Sequence, residues 1–316
     1  MKWTRVLLLQ LALLSPMVFA EQTLEVPGPQ GPLVGSLLAV SDPQAPMVLI
    51  VPGSGPTDHD GNNPLGIRAG AYRLLAQGLA AQGIGSLRID KRGLFASRAA
   101  IANPNQVTMQ DYASDVRLWM SFLTQRDRYR CVWLAGHSEG GLVALMAAQN
   151  NPDLCGLILL ATPGRPMGQV LRSQLQRNPV DRGQLDAALA IIDSLQRGVP
   201  VKDVPASLQP LLRPEVQGFL ISGFAQDPAL LVSRINKPVL IIQGDNDLQV
   251  SVQDAKALNA ARPGSLLRIL PGVNHVLKAV PPGDHDANVA AYGNPDLPLA
   301  NGVVEPIAQL INGTPR

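Results

Sequence analysis

Ser138 lies in the pentapeptide Gly136-His137-Ser138-Glu139-Gly140, between the apolar run Val132–Ala135 and a helix-compatible segment from Glu139 to Gln149. In a G-x-S-x-G pattern the glycines let a strand and a helix close on each other without Cβ collisions. The serine is left at a strained turn with its Oγ exposed. In a chain with 29 glycines the same five residues also fit an ordinary strand-to-helix turn, so the reading depends on what stands around them.

A serine hydroxyl is a weak nucleophile at neutral pH and needs a base that is itself held by a third group. Four histidines are available. His137 precedes the serine inside the turn, and its side chain is expected to face away from the nucleophile. His59 and His285 each sit in an Asp-His-Asp triplet within a polar loop. His275 follows the apolar run Leu266–Leu270, at the end of a strand where a base is needed, and is the expected general base. Beyond the preceding run Val239–Ile242, Gly244-Asp245-Asn246-Asp247 offers two acids. Asp247 is presented after the turn has closed and is the expected orienting acid, while Asp245 suits a turn cap. The order Ser138, Asp247, His275 is the nucleophile-acid-base order of an α/β-hydrolase sheet.

Acyl transfer also requires donors for the developing oxyanion. The backbone N–H of Glu139, at the start of a helix, is one candidate. The N–H of Ser54 in Pro52-Gly53-Ser54-Gly55-Pro56, after the run Met47–Val51, is the other. The Glu139 carboxylate is expected to do no more than favour the helix N-terminus. The triplets Asp58-His59-Asp60 and Asp284-His285-Asp286 contain possible metal ligands, but adjacent residues converge poorly on one ion. Turns account for them, and neither a metal nor a cofactor is expected.

The elements that must position these groups alternate. Strand-like runs fall at Leu24–Val26, Leu33–Val40, Met47–Val51, Ser86–Ile89, Val132–Ala135, Leu157–Leu160, Val239–Ile242 and Leu266–Leu270, eight in all. The first two flank Pro27-Gly28-Pro29 and are expected to form a hairpin or edge pair. Helical spacing appears in Ala69–Ala81, after the Thr108/Asp111 capping box, from Glu139, near Val252–Ala261 and near Val303–Ile311. Alternation of this kind gives a mostly parallel sheet with helices on both faces. It is interrupted at about residues 165–237, where helical periodicity punctuated by Pro200, Pro205, Pro210 and Pro214 marks an insertion too long for a loop. Placed after the sixth strand, it is expected to form a helical lid over the strand ends, where ligand crevices of such sheets lie.

Composition narrows the partners. The 316 residues are 46% hydrophobic and 16% charged, enough to bury a large core. Lys2 and Arg5 account for the whole net charge of +2 and the rest of the chain is balanced, with no Lys/Arg run. That balance argues against nucleic acid as a partner. The same two charges, the apolar run Val6–Leu14 and Val18-Phe19-Ala20 read as a secretory signal over residues 1–20, too short to span a bilayer. Residues 21–316 are then one exported domain, periplasmic or secreted. Export bears on Cys131 and Cys155, which precede two successive strands. A bridge between them would close a loop of about 25 residues and stabilise by roughly 3 kcal/mol; two buried free thiols fit equally.

Gly136-His-Ser-Glu-Gly140, the segment from Pro52 to Asn62, Asp90-Lys91-Arg92-Gly93, the segment from Gly244 to Val250 and Asn274-His275-Val276-Leu277-Lys278 together resemble the α/β-hydrolase superfamily. Within it they are similar to secreted bacterial esterase-like members related to the serine-aminopeptidase and dienelactone-hydrolase branches. The resemblance implies carboxylic ester hydrolysis on a small-molecule substrate by Ser138, His275 and Asp247. It departs in two places. The dienelactone branch has a cysteine where this chain has Ser138, which argues against that activity. After Asp-Lys-Arg-Gly a further glycine and a small residue usually precede serine, whereas Leu94-Phe95-Ala96-Ser97 stands here and suggests a bulkier wall. Asp90 and Arg92 read as structural partners of that turn. The same triad serves a thioesterase, or an aminopeptidase if an acid of the insertion binds an α-amine, for which Asp181, Asp186, Asp193, Asp203, Glu215 and Asp227 are available. A non-catalytic binding protein on a hydrolase frame is a remote alternative.

Overall fold

The computed structural model describes residues 21–127, 129–177 and 181–314. The expected signal at 1–20 lies outside the described residues. Eight strands, β1 (Glu21–Pro27), β2 (Pro32–Leu38), β3 (Met47–Val51), β4 (Gly85–Ile89), β5 (Val132–His137), β6 (Leu154–Leu160), β7 (Val239–Gly244) and β8 (Leu266–Leu270), form one sheet in the order β1-β2-β4-β3-β5-β6-β7-β8. The pairs β1/β2 and β2/β4 are antiparallel and the rest are parallel. β3, β5 and β7 are buried along their whole length, as their continuous apolar runs require of strands covered on both faces.

Side chains alternate between two core layers, as the two-residue period of a strand demands. Leu49 and Val51 pack with α2 (Met109–Gln125) and α3 (Glu139–Ala147), along with Trp119, Leu123 and Leu142. Val48 and Ile50 pack on the other face with Tyr72, Leu75 and Leu79 of α1 (Ala71–Ala80) and with Ile307 and Ile311 of α11 (Val304–Gly313). All nine residues of α3 are buried, so this helix has no solvent face. Thr108 and Asp111 close the expected capping box on α2.

Between β6 and β7 the chain forms α4 (Met167–Arg177), α5 (Arg182–Gln196), α6 (Gln209–Leu212), α7 (Pro214–Phe224) and α8 (Pro228–Ser233). The insertion has its own apolar cluster, with Ile191, Ile192, Leu195, Leu212 and Phe224 buried in it. It is fastened to the body at the head of α2. The Met109 N–H donates to Ser222 Oγ at 3.0 Å, and the Phe219 ring meets Tyr112 edge-on with centroids 5.7 Å apart. At the other end Arg165 makes a two-pronged ion pair with the buried Asp254 at the start of α9 (Val252–Ala261), 2.8 and 3.0 Å. One helix was not foreseen: α10 (His285–Tyr292), capped by Asp284, occupies the stretch read as a polar loop. Cys131 and Cys155 are joined as a disulfide at the amino ends of β5 and β6.

Candidate active site

Ser138 stands at the carboxyl end of β5 with φ 55° and ψ −125°, the tight turn that feeds α3. A Cβ on Gly136 would fall 2.4 Å from the Gly140 carbonyl oxygen, and one on Gly140 would fall 2.3 Å from that of Val51. Both positions must be glycine for strand and helix to approach this closely. A positive φ at a residue with a side chain costs on the order of 1–3 kcal/mol. The Ser138 N–H, donating to Leu160 O at 2.9 Å, helps to hold it.

Asp247 and His275 are brought together from two later strand ends. Asp247 follows β7 in a turn whose Gln249 and Val250 N–H groups donate to its Oδ1 at 2.7 and 2.9 Å. Its Oδ2 lies 2.8 Å from His275 Nδ1 and accepts from Gln243 Nε2 at 3.1 Å. Burial alone would raise the pKa of this carboxyl, but the adjacent imidazole and the two amides outweigh it and hold it below the ordinary carboxylate value. An ionised carboxylate only accepts, so the proton of a neutral His275 resides on Nδ1 and its Nε2 is free as a base. Asp245 does act as a turn tie, accepting from the Gly272 N–H at 2.7 Å ahead of the His275 loop. Among the described residues the Ser138 hydroxyl has no hydrogen-bond partner.

The loop after β3 closes over the nucleophile turn, since a Cβ at Gly53 would lie 3.4 Å from Ser138 Cβ. Gly53 is held at both ends. Its N–H donates to the Tyr72 hydroxyl at 3.0 Å, and its carbonyl accepts from Lys91 Nζ at 2.6 Å. The N–H groups of Ser54 and Glu139 have no partner among the described residues.

His137 points into the core beside α1. Its Nδ1 is 2.8 Å from the Tyr72 hydroxyl and its Nε2 is 2.8 Å from the carbonyl oxygen of His275. Because Tyr72 already accepts from Gly53, its O–H is free to donate to Nδ1, and Nε2 then carries the proton toward His275. Burial drives the His137 pKa down to about 3, so the ring stays neutral.

The Glu139 side chain departs from expectation. It is buried rather than lying at an exposed helix start, with Oε1 3.6 Å from Lys91 Nζ. That distance is an ion pair without a hydrogen bond, and Glu139 Oε1 has no other partner. Burial pushes the Lys91 pKa down and that of Glu139 up, each opposed by the attraction of the other. The Lys91 ammonium also stands 5.3 Å over the Tyr112 ring. Neither Lys91 nor Tyr72 was singled out from sequence.

The remaining predicted groups are structural. Asp58 Oδ1 accepts the N–H groups of Asp60 and Asn62 and shapes its loop. His59 pairs through Nδ1 with Asp90 at 3.0 Å, which holds its pKa above the ordinary value. Arg92 binds Asp115 and Asp111 of α2. His285 is exposed on α10 beside Asp286. Phe95 takes φ 45° at the position where a glycine is usual, and it is 38% exposed. A cavity of about 540 Å³ beside Cys131, Cys155, Trp133 and Pro238 opens at the amino ends of the strands, away from Ser138.

The chain has the α/β-hydrolase fold, the one its motifs resemble. Residues 65–181 match the model of the serine aminopeptidase S33 family. The esterase EstD of Thermotoga maritima is 28% identical over 215 residues, which make up 66% of this chain and 48% of that one. The chain thus spans about half the length of that relative. Among solved structures, Est1E of Butyrivibrio proteoclasticus with ferulic acid bound aligns with a TM-score of 0.57 at 18% identity, over 82% of this chain and 91% of that one. A hydrolase of Agrobacterium vitis S4 aligns with a TM-score of 0.56 at 20% identity, over 82% and 93%. The Pyrococcus furiosus esterase Pf2001 aligns with a TM-score of 0.53 at 16% identity, over 80% and 82%.

Proposed function

We propose that the protein is a serine hydrolase that cleaves carboxylic esters through an acyl-enzyme on Ser138. The observation that carries this reading is the buried bond between Asp247 Oδ2 and His275 Nδ1 beyond the carboxyl ends of β7 and β8, at the same end of the sheet as the Ser138 turn. Ser138 Oγ attacks the acyl carbonyl while His275 Nε2 takes its proton. Collapse of the tetrahedral intermediate expels the alcohol, which receives that proton, and water attacks the acyl-enzyme by the same relay. The N–H groups of Ser54 and Glu139 hold the oxyanion, and the Asp247 carboxylate stabilises the imidazolium. Relatives that bear the name esterase, EstD and Pf2001, support the ester over other acyl substrates. The S33 match, whose family is described as aminopeptidases, favours amides with a free α-amine as the second reading.

In this reading the α4–α8 insertion is a lid that shapes the acyl site through α7, beside Tyr112 and Lys91. Residues 1–20 are a signal, and the protein is exported, consistent with the Cys131–Cys155 bridge. The test is labelling with a fluorophosphonate, followed by a panel of short-chain esters, thioesters and aminoacyl amides. Labelling at Ser138 and turnover of esters, both lost in Ser138→Ala, is the expected result. Turnover confined to amides with a free amine would replace it by the aminopeptidase, and an unlabelled serine by a non-catalytic role. Amino-terminal sequencing of protein recovered from the periplasm or medium, expected to begin at Glu21, tests the export.

A further inference from the structure

Lys91 is buried, and a buried ammonium needs a strong reason to be there, because desolvation alone disfavours its charge. Three contacts account for it. Nζ donates to the Gly53 carbonyl at 2.6 Å, faces Glu139 Oε1 at 3.6 Å and stands over the Tyr112 ring. Only the first is a hydrogen bond, and it falls on a peptide of the loop that covers the nucleophile turn.

The Gly53–Ser54 peptide is trans and planar, so its carbonyl and its N–H point in opposite directions. Fixing Gly53 O on the Lys91 side therefore fixes the direction of the Ser54 N–H on the other. Tyr72 accepts the Gly53 N–H at 3.0 Å and removes the remaining freedom of that residue. A cation on the carbonyl oxygen also draws electron density through the amide and makes the Ser54 N–H a stronger donor. The N–H so aligned has no partner among the described residues.

We propose that Lys91 is a positioning residue for oxyanion stabilisation: it clamps and polarises the Gly53–Ser54 peptide so that the Ser54 N–H meets the negative charge that develops in the transition state. Glu139 balances the buried charge without competing for the hydrogen bond. The inference rests on the serine-hydrolase reading above. It concerns charge that appears only as the tetrahedral intermediate forms, so its loss must fall on turnover rather than on substrate binding.

The test is the paired variant K91M/E139Q, which removes both buried charges and leaves neither orphaned, measured on a short-chain ester found to be a substrate. With active sites counted by fluorophosphonate titration, kcat per active site falls about 10- to 100-fold while KM moves less than about threefold. Affinity for an alkyl boronic acid, whose serine adduct carries the same tetrahedral oxygen, falls by the same factor as kcat/KM. E139Q alone serves as the comparator that separates the loss of the carboxylate from the loss of the ammonium. K91Q/E139Q, in which an amide still donates at position 91, recovers part of the turnover, and it is the variant to read if the methionine pair does not fold. Undiminished kcat per active site in a folded pair, or a loss that appears only as fewer titratable sites, overturns the assignment. A wild-type protein that neither labels at Ser138 nor hydrolyses esters would instead overturn the reading beneath it.

Discussion

His137 donates through Nε2 to the carbonyl oxygen of His275, 2.8 Å away, so the backbone of the proposed base is carried by a second, non-catalytic histidine. The same ring accepts the Tyr72 hydroxyl at Nδ1, which needs His137 neutral, and burial keeps it so by lowering its pKa to about 3. In the unfolded chain the same ring titrates near pH 6.5. Between these values the unfolded state binds a proton that the folded state refuses, and stability rises with pH. Stability is therefore lost as the pH falls below about 6.5, at up to about 1.4 kcal/mol per pH unit, until the folded ring itself is protonated. Urea titrations between pH 7 and 4 are expected to show this slope, flattened in His137→Gln. An equally steep limb in that variant would assign the acid loss to other groups.

Asp247→Asn keeps the shape of the turn but replaces an acceptor-only group by an amide that can donate to His275. The imidazole then takes the wrong tautomer, and kcat on esters is expected to fall about 10³- to 10⁴-fold with KM little changed. A loss of less than tenfold would remove Asp247 from the orienting role and direct attention to Asp245.

The Cys131–Cys155 bridge spans 24 positions of sequence. Replacing both cysteines by alanine is expected to lower the unfolding free energy by about 3 kcal/mol, read from urea titrations as a lower midpoint with a somewhat steeper slope, because the denatured chain without the bridge is less compact. A matching loss on adding reductant to the wild type, and none in the variant, would tie the effect to the bridge itself.

Phe95 has φ 45° and is 38% exposed, so it bears backbone strain and recovers little by burial. Phe95→Gly is expected to leave stability unchanged or raise it by up to about 1 kcal/mol, the relief of strain opposing the greater freedom of glycine in the unfolded chain. Thermal unfolding decides this, and a Tm lower by more than a few degrees would show that the ring packs against something of value.

What was legible in the sequence was what is local. Each of Ser138, Asp247 and His275 follows an apolar run within a few residues, so strand ends and turn chemistry place them without knowledge of the rest. The β1/β2 edge pair, the capping box on α2 and the helical insertion were read in the same way. The supports of the site were not, because their partners are remote in the chain. Lys91 reaches Gly53 across 38 positions, Tyr72 reaches His137 across 65, and His137 reaches the His275 carbonyl across 138. No spacing rule marks such residues. α10 was missed for a different reason: only Asn288 and Ala291 of its eight residues are buried, which leaves no apolar stripe to find.

The bridge between the amino ends of β5 and β6 makes the strand, the nucleophile turn and α3 a covalent ring. Within it, Trp133 of β5 meets Gly156 of β6, close neighbours in the chain, whereas on the other flank Trp133 must find Val48 of β3. Loop-closure entropy favours the nearer partner. During refolding of the oxidised chain, the ring that contains Ser138 is the parallel pairing with the least distance to search, and the other parallel strands add to it afterwards.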